Sequence, residues 1–253
     1  MRIATWNVNS LKVRLPHVLE WLIANQPDVL CLQEIKQEDA QFPLGQLKEI
    51  GYQAVFSGQK TYNGVAIISK SAPQDVVCGL PNFPDLQKRL IAATLDGVRV
   101  VCVYIPNGQS LDSEKYQYKL AWLTALQEWL QQELIRYPKL ALLGDYNIAP
   151  EDRDVHDPLA WVGNVLVSEP ERAAFRGMQE LNLRDCFRLF EQDEKSYSWW
   201  DYRMMAFRRN MGLRIDHILI SAALHCSACS IDRLPRKLER PSDHAPVMAD
   251  ISH

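Results

Sequence analysis

Two short runs near the end of the chain, RIDHILIS (residues 214–221) and SDHAPV (residues 242–247), each place an aspartate directly before a histidine. Both lie in or beside apolar stretches that read as strands. Upstream, Asn7 and Asn9 close RIATWNVN, Glu34 closes VLCLQE, Tyr104 and Asn107 close VVCVYIPN, and Asp145 and Asn147 close LALLGDYN. Carboxylates, amides and a histidine in such a set suit a phosphate ester. Hydrolysis of that ester needs charge on the phosphoryl oxygens offset, a water deprotonated and the leaving oxygen stabilised. A hard cation such as Mg²⁺ is held by one or two carboxylates. Glu34 is the first candidate ligand, with Asp243 and the Asn7 amide beside it. Asp145 suits orienting or deprotonating the attacking water, and Asn147, two residues on, faces the same side of an extended segment. His244 can donate to a phosphoryl oxygen while Asp216 fixes its tautomer. Tyr104 and Asn107 add neutral donors. Each residue also has a plainer reading: a strand-end glutamate is commonly solvated, Asn7, Asn9 and Asn107 are good turn formers, and His217 is expected to be packed or at the surface. Joint placement at strand ends is what argues for a site.

The elements that must position these groups are legible as a rhythm of apolar run, polar corner and helical stretch. RIATWN, DVLCLQE, YQAVFS, GVAIISK, LIAATL, RVVCVYI, LALLGDYN, IDHILIS and APVMADI predict strands. Several are apolar at consecutive positions, as in sheets covered on both faces. Between residues 113 and 136, Tyr116, Leu120, Leu123, Leu126, Leu130 and Leu134 recur at helical spacing. Ser168 and Glu171 form a capping box for a helix running through Phe175 and Leu181. In layered α/β folds, strand ends open on one shared crevice. No low-complexity linker interrupts the 253 residues, so one domain spanning 1–253 is expected.

Composition is ordinary for a globular chain, 47% hydrophobic and 23% charged. A net charge of −3 argues mildly against a duplex-coating protein, although acidic metal ligands lower the total while a basic face forms locally. The N-terminal MRIATWNVNS has no signal core, and no apolar run approaches a membrane span. Cys226 and Cys229 have the C-x-x-C spacing of half a zinc site but lack a second pair, so reduced thiols are the preferred reading. Arg203, Arg208, Arg209 and Arg214 occur between residues 203 and 214 without an acid, followed by Arg233, Arg236, Lys237 and Arg240. Interleaved with Trp200, Tyr202, Met204, Met205 and Phe207, they suit phosphate-backbone contact with apolar wedging, or a solvated loop with an aromatic anchor.

WNVNSL, LQEIK, NGVAIIS, YIPNG, GDYNIAP, YSWWDYR, GLRIDHILIS and SDHAPV occur in the order found in exonuclease III-like apurinic/apyrimidinic endonucleases. The chain resembles the bacterial type of that family from Met1 to Ile251. The resemblance implies an α/β fold, a four-layer α/β sandwich with two central mixed sheets flanked by helices. It implies Mg²⁺-dependent cleavage 5′ to abasic sites, with Mn²⁺ as a substitute, together with removal of 3′-phosphate and other 3′ blocking groups and 3′→5′ exonuclease action on duplex DNA. Carried over by residue, Glu34, Asn7 and Asp243 resemble the metal site, Asp145 and Asn147 the water-activating pair, and His244 the phosphate-binding histidine with Asp216 behind it. Tyr104 and Asn107 match phosphate contacts. Trp199, Leu213 and Ile215 match an apolar pocket for an extruded abasic sugar, and Arg203 and Arg208 fall on the DNA face. Asn9 stands where human-type enzymes carry aspartate, which shifts metal binding toward Glu34 and Asp243. The loop after Pro150 departs from the pattern, and His156 within it is expected to shape which lesion or 3′ terminus is accepted. The partner implied is damaged double-stranded DNA, met by a monomer in the bacterial cytoplasm with no membrane involved. Two other readings are a lipid or inositol phosphate hydrolase of the same superfamily, against which YSWWDYR counts, and a degenerate DNA-binding module, against which the filled catalytic positions count.

Overall fold

Alternation along the first strand, β1 (Arg2–Asn7), decides where its side chains go. Ile3 faces a second sheet, while Ala4 and Trp6 pack under helices. The computed structural model describes residues 1–252 and repeats this division throughout. One sheet contains β1, β2 (Val29–Gln33), β3 (Gln53–Ser57), β4 (Val65–Ser69), β11 (His225–Ile231) and β12 (Val247–Ser252), in the order β11-β12-β1-β2-β4-β3. The other contains β5 (Gln74–Cys78), β6 (Leu90–Leu95), β7 (Val98–Tyr104), β8 (Leu140–Asp145), β9 (Leu183–Asp185) and β10 (Asp216–Ser221), in the order β5-β6-β7-β8-β10-β9. Both sheets are mixed: β1 runs parallel to β2 and β7 parallel to β8, the other pairs being antiparallel.

Helices close both outer faces. α1 (Leu11–Asn25) and α2 (Leu44–Glu49) place Val18, Trp21, Leu22 and Leu47 on Trp6, Leu30 and Leu32. α3 (Glu114–Arg136) and α5 (Glu169–Glu180) place Leu126, Leu130, Phe175 and Met178 on Val101, Leu142 and Leu219. α4 (Pro158–Trp161) is a single turn in the connection between β8 and α5. The central layer packs Ile3, Cys31 and Ile67 against Ile91, Val100, Leu143 and Ile218. Each such aliphatic side chain contributes about 1.5–3 kcal/mol on burial. The result is the four-layer sandwich the motifs imply, and the Ser168–Glu171 capping box opens α5 as expected.

Three strands, β5, β9 and β11, were not foreseen. β5 is an edge strand with mostly exposed side chains, β9 has three residues, and β11 carries the C-x-x-C run. Residues three apart on a regular strand face opposite ways. A bulge between Cys226 and Ala228 brings Cys226 opposite Ile251 and Cys229 opposite Ala249, both facing the central layer. The thiols there pack with Cys186, Phe187 and Leu224.

Candidate active site

The inward faces that build the central layer turn polar at one end. On β1, Ile3 is followed at the same parity by Thr5, bonded to Gln33, and then by Asn7. On β7, β8 and β10 the matching inward positions end in Tyr104, Asp145 and Asp216, which lie in register with one another. Glu34 follows β2 directly, with φ 53°. His217 shows the same parity from the other side. It points outward between the rings of Tyr146 and Phe175, accepts at Nδ1 from Arg214 (3.0 Å) and donates from Nε2 to the Ile148 carbonyl (2.8 Å). Of the two Asp-His pairs, one splits across two layers and lends only its aspartate to the rim.

That aspartate meets the other pair's histidine. His244 Nδ1 lies 2.9 Å from Asp216 Oδ2, and its Nε2 lies 3.7 Å from Asp145 Oδ2. Trp6 holds the His244 carbonyl at 3.2 Å, and Ser242 Oγ bridges the His244 amide to the Asn7 carbonyl. Asn7 Nδ2 donates to both Glu34 (2.8 Å) and Asp145 (2.9 Å), which fixes the spacing of those carboxylates, while its oxygen accepts from the Asn9 amide. Asn147, in the left-handed region at φ 49°, is held by its amide on Asp145 Oδ1 and its side chain on the Ile105 carbonyl. Asn107 Nδ2 donates to Asn147 Oδ1 at 3.1 Å. Asparagine tolerates the left-handed region better than most side chains, and these bonds hold it there.

Charges crowded into a dry rim set its acid–base behaviour. Burial, with the charges of Asp216 and Glu34, raises Asp145 to about 7 despite His244 and the Asn7 bond. Burial alone would lower His244, but Asp216 and Asp145 outweigh it and raise the imidazole to about 10. Tyr104 is pushed well above its ordinary value by burial and then by Glu34 and Asp145, so it stays a donor. Burial opposes ionisation of Asp243, yet His244, Trp199 and Asn9 hold its carboxyl below the usual range.

Asp243 sits on one flank, accepting from Asn9 Nδ2 (3.0 Å) and Trp199 Nε1 (2.9 Å). Among the described residues, the group whose ligand atoms lie within 4.8 Å of one another is Glu34, Asp145 and His244. Its oxygens fit a hard divalent cation. His244 has Nδ1 committed to Asp216 and is cationic at neutral pH, so it serves better as a donor than as a ligand. Sequence reasoning passed over Lys36, whose ammonium bonds Glu34 Oε2 (2.8 Å) and Asn9 Oδ1 (2.6 Å). It also passed over Arg14, which ties the Asn9 and Pro241 carbonyls to Tyr202. Lys36 lies inside the quoted LQEIK run, so a cation two residues after the acid was a readable sign.

Trp199, Leu213 and Ile215 come together in one apolar cluster with Val155 and Leu166. Leu213 and Ile215 are closed to solvent, and Trp199 alone is half-buried. The basic segment needs correction. Arg214 is only 1% exposed and pairs with Asp154 and Asp185 beneath β10, so it faces no ligand. Arg236 and Trp200 are also buried, the guanidinium over the Trp200 and Phe207 rings, which meet edge to face. The exposed part is Tyr202, Met204 (71%), Met205 (64%), Arg208 and Arg209, with Arg203 tied to Asp201 at 2.8 Å. His156 lines a separate cleft with Arg153, Arg188 and residues 190–197, away from the acid cluster. Beside Tyr104 and Asn107 a further cleft of about 640 Å³ is lined by Tyr62, Arg89, Lys115 and Tyr118. No helix among the described residues is long and apolar enough to cross a membrane.

Comparison with known proteins matches residues 4–244 to the model of the endonuclease/exonuclease/phosphatase family. Exodeoxyribonuclease III of Haemophilus influenzae is 37% identical, the match covering 99% of each chain. The 3′ phosphatase NExo from Neisseria, solved bound to product DNA hairpin, is 50% identical over the whole of both chains with a TM-score of 0.98. An AP endonuclease from Archaeoglobus fulgidus is 43% identical, with a TM-score of 0.96 over the whole of both chains.

Proposed function

Because the chain belongs to the endonuclease/exonuclease/phosphatase family, in the branch of exonuclease III and the AP endonucleases, we propose that it is a Mg²⁺-dependent DNA-repair phosphodiesterase. It cuts 5′ to abasic sites, removes 3′-phosphate and related 3′ blocking groups, and trims duplex DNA from 3′ ends. Mn²⁺ substitutes for Mg²⁺. The protein acts on damaged duplex DNA as a single-domain monomer in the bacterial cytoplasm. The observation that carries this reading is the Asp216–His244–Asp145 line beside Glu34 at a rim shared by two sheets.

Bound Mg²⁺ supplies Lewis-acid stabilisation of phosphoryl charge. Glu34 would hold it, with Asn7 fixing the carboxylate and Asp243 adding charge from the flank. Asp145, raised to about 7, suits a general base that takes the proton of the attacking water. Cationic His244 donates from Nε2 to a phosphoryl oxygen, and Asp216 keeps it charged and oriented. Tyr104 and Asn107 add neutral donors, and Asn147 holds the Asp145 carboxylate for the attacking water. Trp199 offers an apolar surface to the sugar, and Met204, Met205, Arg208 and Arg209 face the duplex.

The test uses two end-labelled duplexes, one with a central abasic analogue and one nicked at a 3′-phosphate, with Mg²⁺ or EDTA. Wild type is expected to turn over at least one substrate only with Mg²⁺. Glu34→Ala, Asp145→Asn and His244→Ala should each lose about 10²–10⁴-fold in kcat. Turnover of the 3′-phosphate alone would make end-cleaning the main task. Turnover of neither, or equal turnover in EDTA, would sink the assignment.

A further inference from the structure

α3 turns a charged residue into the protein interior. Lys119 lies on the same buried stripe as Tyr116, Leu123 and Leu126, and its side chain is 0% exposed. Its ammonium donates to the Asn147 carbonyl (2.7 Å), to the Asn107 carbonyl (3.2 Å) and to Glu171 Oε1. An ammonium has three protons, so these three acceptors use all of them and leave none for a ligand. Glu171 is itself fully buried and is fixed by the Leu166 and Ser168 amides at the start of α5.

We infer that Lys119 is a positioning residue of the catalytic centre, a clamp that ties the loop carrying Asn107 to the loop carrying Asn147. This rests on the phosphodiesterase reading above. The two loops follow different parallel strands, β7 and β8, and each ends in a left-handed or otherwise irregular turn. Their side chains touch through Asn107 Nδ2 and Asn147 Oδ1. A single side-chain amide contact fixes only one point. Lys119 fixes the backbone beneath it, reaching both carbonyls from the dry side. With Asn147 anchored at its amide on Asp145 and at its carbonyl on Lys119, the residue cannot relax out of φ 49° without breaking a buried bond. Gly108 serves the same arrangement. A Cβ there would stand a tight 3.3 Å from Lys119 Cδ and from the Tyr116 ring, and a φ of 95° disfavours a side chain in any case, so glycine suits the loop where it passes over the lysine stem.

The ion pair with Glu171 and the clamp on the carbonyls are separable. Burial depresses the Lys119 ammonium while Glu171 supports it, and an amine left neutral by loss of Glu171 still carries two protons for the two carbonyls. Glu171→Gln therefore removes the ion pair and keeps the clamp, whereas Lys119→Met removes both with little change in stem length. The double variant Lys119→Met/Glu171→Gln leaves no unpaired buried charge and serves where the single variant fails to fold.

kcat and KM on the abasic and 3′-phosphate duplexes, melting temperature, and Mn²⁺ affinity by calorimetry are measured for all four proteins. Lys119→Met and the double variant are expected to lose about 10²-fold in kcat, the scale of a catalytic group displaced by about 1 Å, with KM changed less than about threefold. Mn²⁺ affinity should stay near the wild-type value, because Glu34 is held from Asn7 and not from Lys119. Glu171→Gln should lower the melting temperature yet keep kcat within about threefold of wild type. Wild-type turnover with unchanged kcat in the double variant would overturn the clamp alone. Equal kcat losses in Glu171→Gln and Lys119→Met would overturn it in favour of α3–α5 packing. Absence of wild-type turnover would overturn the functional reading and the clamp with it.

Discussion

Asp216 and His217 are neighbours in sequence and belong to different layers, which gives His217 a measurable pH signature. Its Nδ1 faces the Arg214 guanidinium, so a proton there would meet a cation with no water nearby. Burial first, and then Arg214, lower it to about 4. Below pH 6.5 the unfolded chain takes up a proton at this residue, while the folded protein refuses it until about pH 4. Stability from this group is therefore complete above pH 6.5 and is lost as pH falls toward 4, by up to about 3 kcal/mol. Urea unfolding at pH 7 and pH 4.5 should show that loss, and His217→Gln should show a shallower slope between those values. Identical slopes would place the acid sensitivity elsewhere. The sequence left two places open for His217, packed or at the surface, of which the first is found. It did not reveal the polar residues that enter from helices. Lys119 and Glu133 occupy stripe positions of α3 otherwise filled by Tyr116, Leu123, Leu126 and Leu130. A charge on an apolar helical stripe needs a buried partner, and Glu171 and Arg99 are those partners, but pairing across layers leaves no periodic trace along the chain.

At the scale of elements, the clearest strands in the sequence are those covered on both faces, such as β2, β4 and β8, whose runs are apolar at consecutive positions. Edge strands lack such a record, and of β3, β5, β9 and β11 only β3 was foreseen. β5 shows mostly exposed side chains, and the bulge in β11 breaks the alternation that would have identified it. Among the legible strands, β8 contains Gly144, just before Asp145. The backbone of β7 approaches so closely there that a Cβ would lie 2.0 Å from the Val103 carbonyl oxygen. Glycine inside a strand marks such an approach. Gly144→Ala would push apart the two strands that end in Tyr104 and Asp145, and their alignment at the rim would shift with them. Overpacking of this kind costs about 1–3 kcal/mol. The expected outcome is that loss in a urea titration, with kcat reduced at least tenfold and more than KM. Wild-type stability and kcat in Gly144→Ala would show that the strands accommodate the methyl group without moving the site.

Across the whole molecule, the site reads as two equivalent halves meeting. β1 and β2 form a parallel pair joined through α1, and β7 and β8 form a parallel pair joined through α3. Ligands in α/β folds gather at the carboxyl ends of such strands. Here the first pair delivers Asn7 and Glu34 and the second delivers Tyr104 and Asp145, with Asp216 and His244 coming from the antiparallel neighbours of each half. Strand-end chemistry was therefore readable motif by motif, whereas the pairing of the halves rests on face-to-face packing, which no local run encodes. The consequence is thermodynamic. Glu34 and Asp145 belong to different sheets and are spaced by the Asn7 amide between them, and Glu34 would hold a cation at that junction. A divalent ion that binds only the folded state should stabilise by about 2.7 kcal/mol at a concentration 100-fold above its Kd. For a chain of this size that corresponds to a rise of roughly 5–10 °C in melting temperature. Because the central layer draws side chains from both sheets, the transition should stay single and move as a whole when Mg²⁺ replaces EDTA in calorimetry. Glu34→Ala, which leaves the central layer intact, should melt in one transition that Mg²⁺ no longer shifts. A second transition appearing with EDTA would mean that the sheets unfold separately and that the metal, rather than the core, joins them.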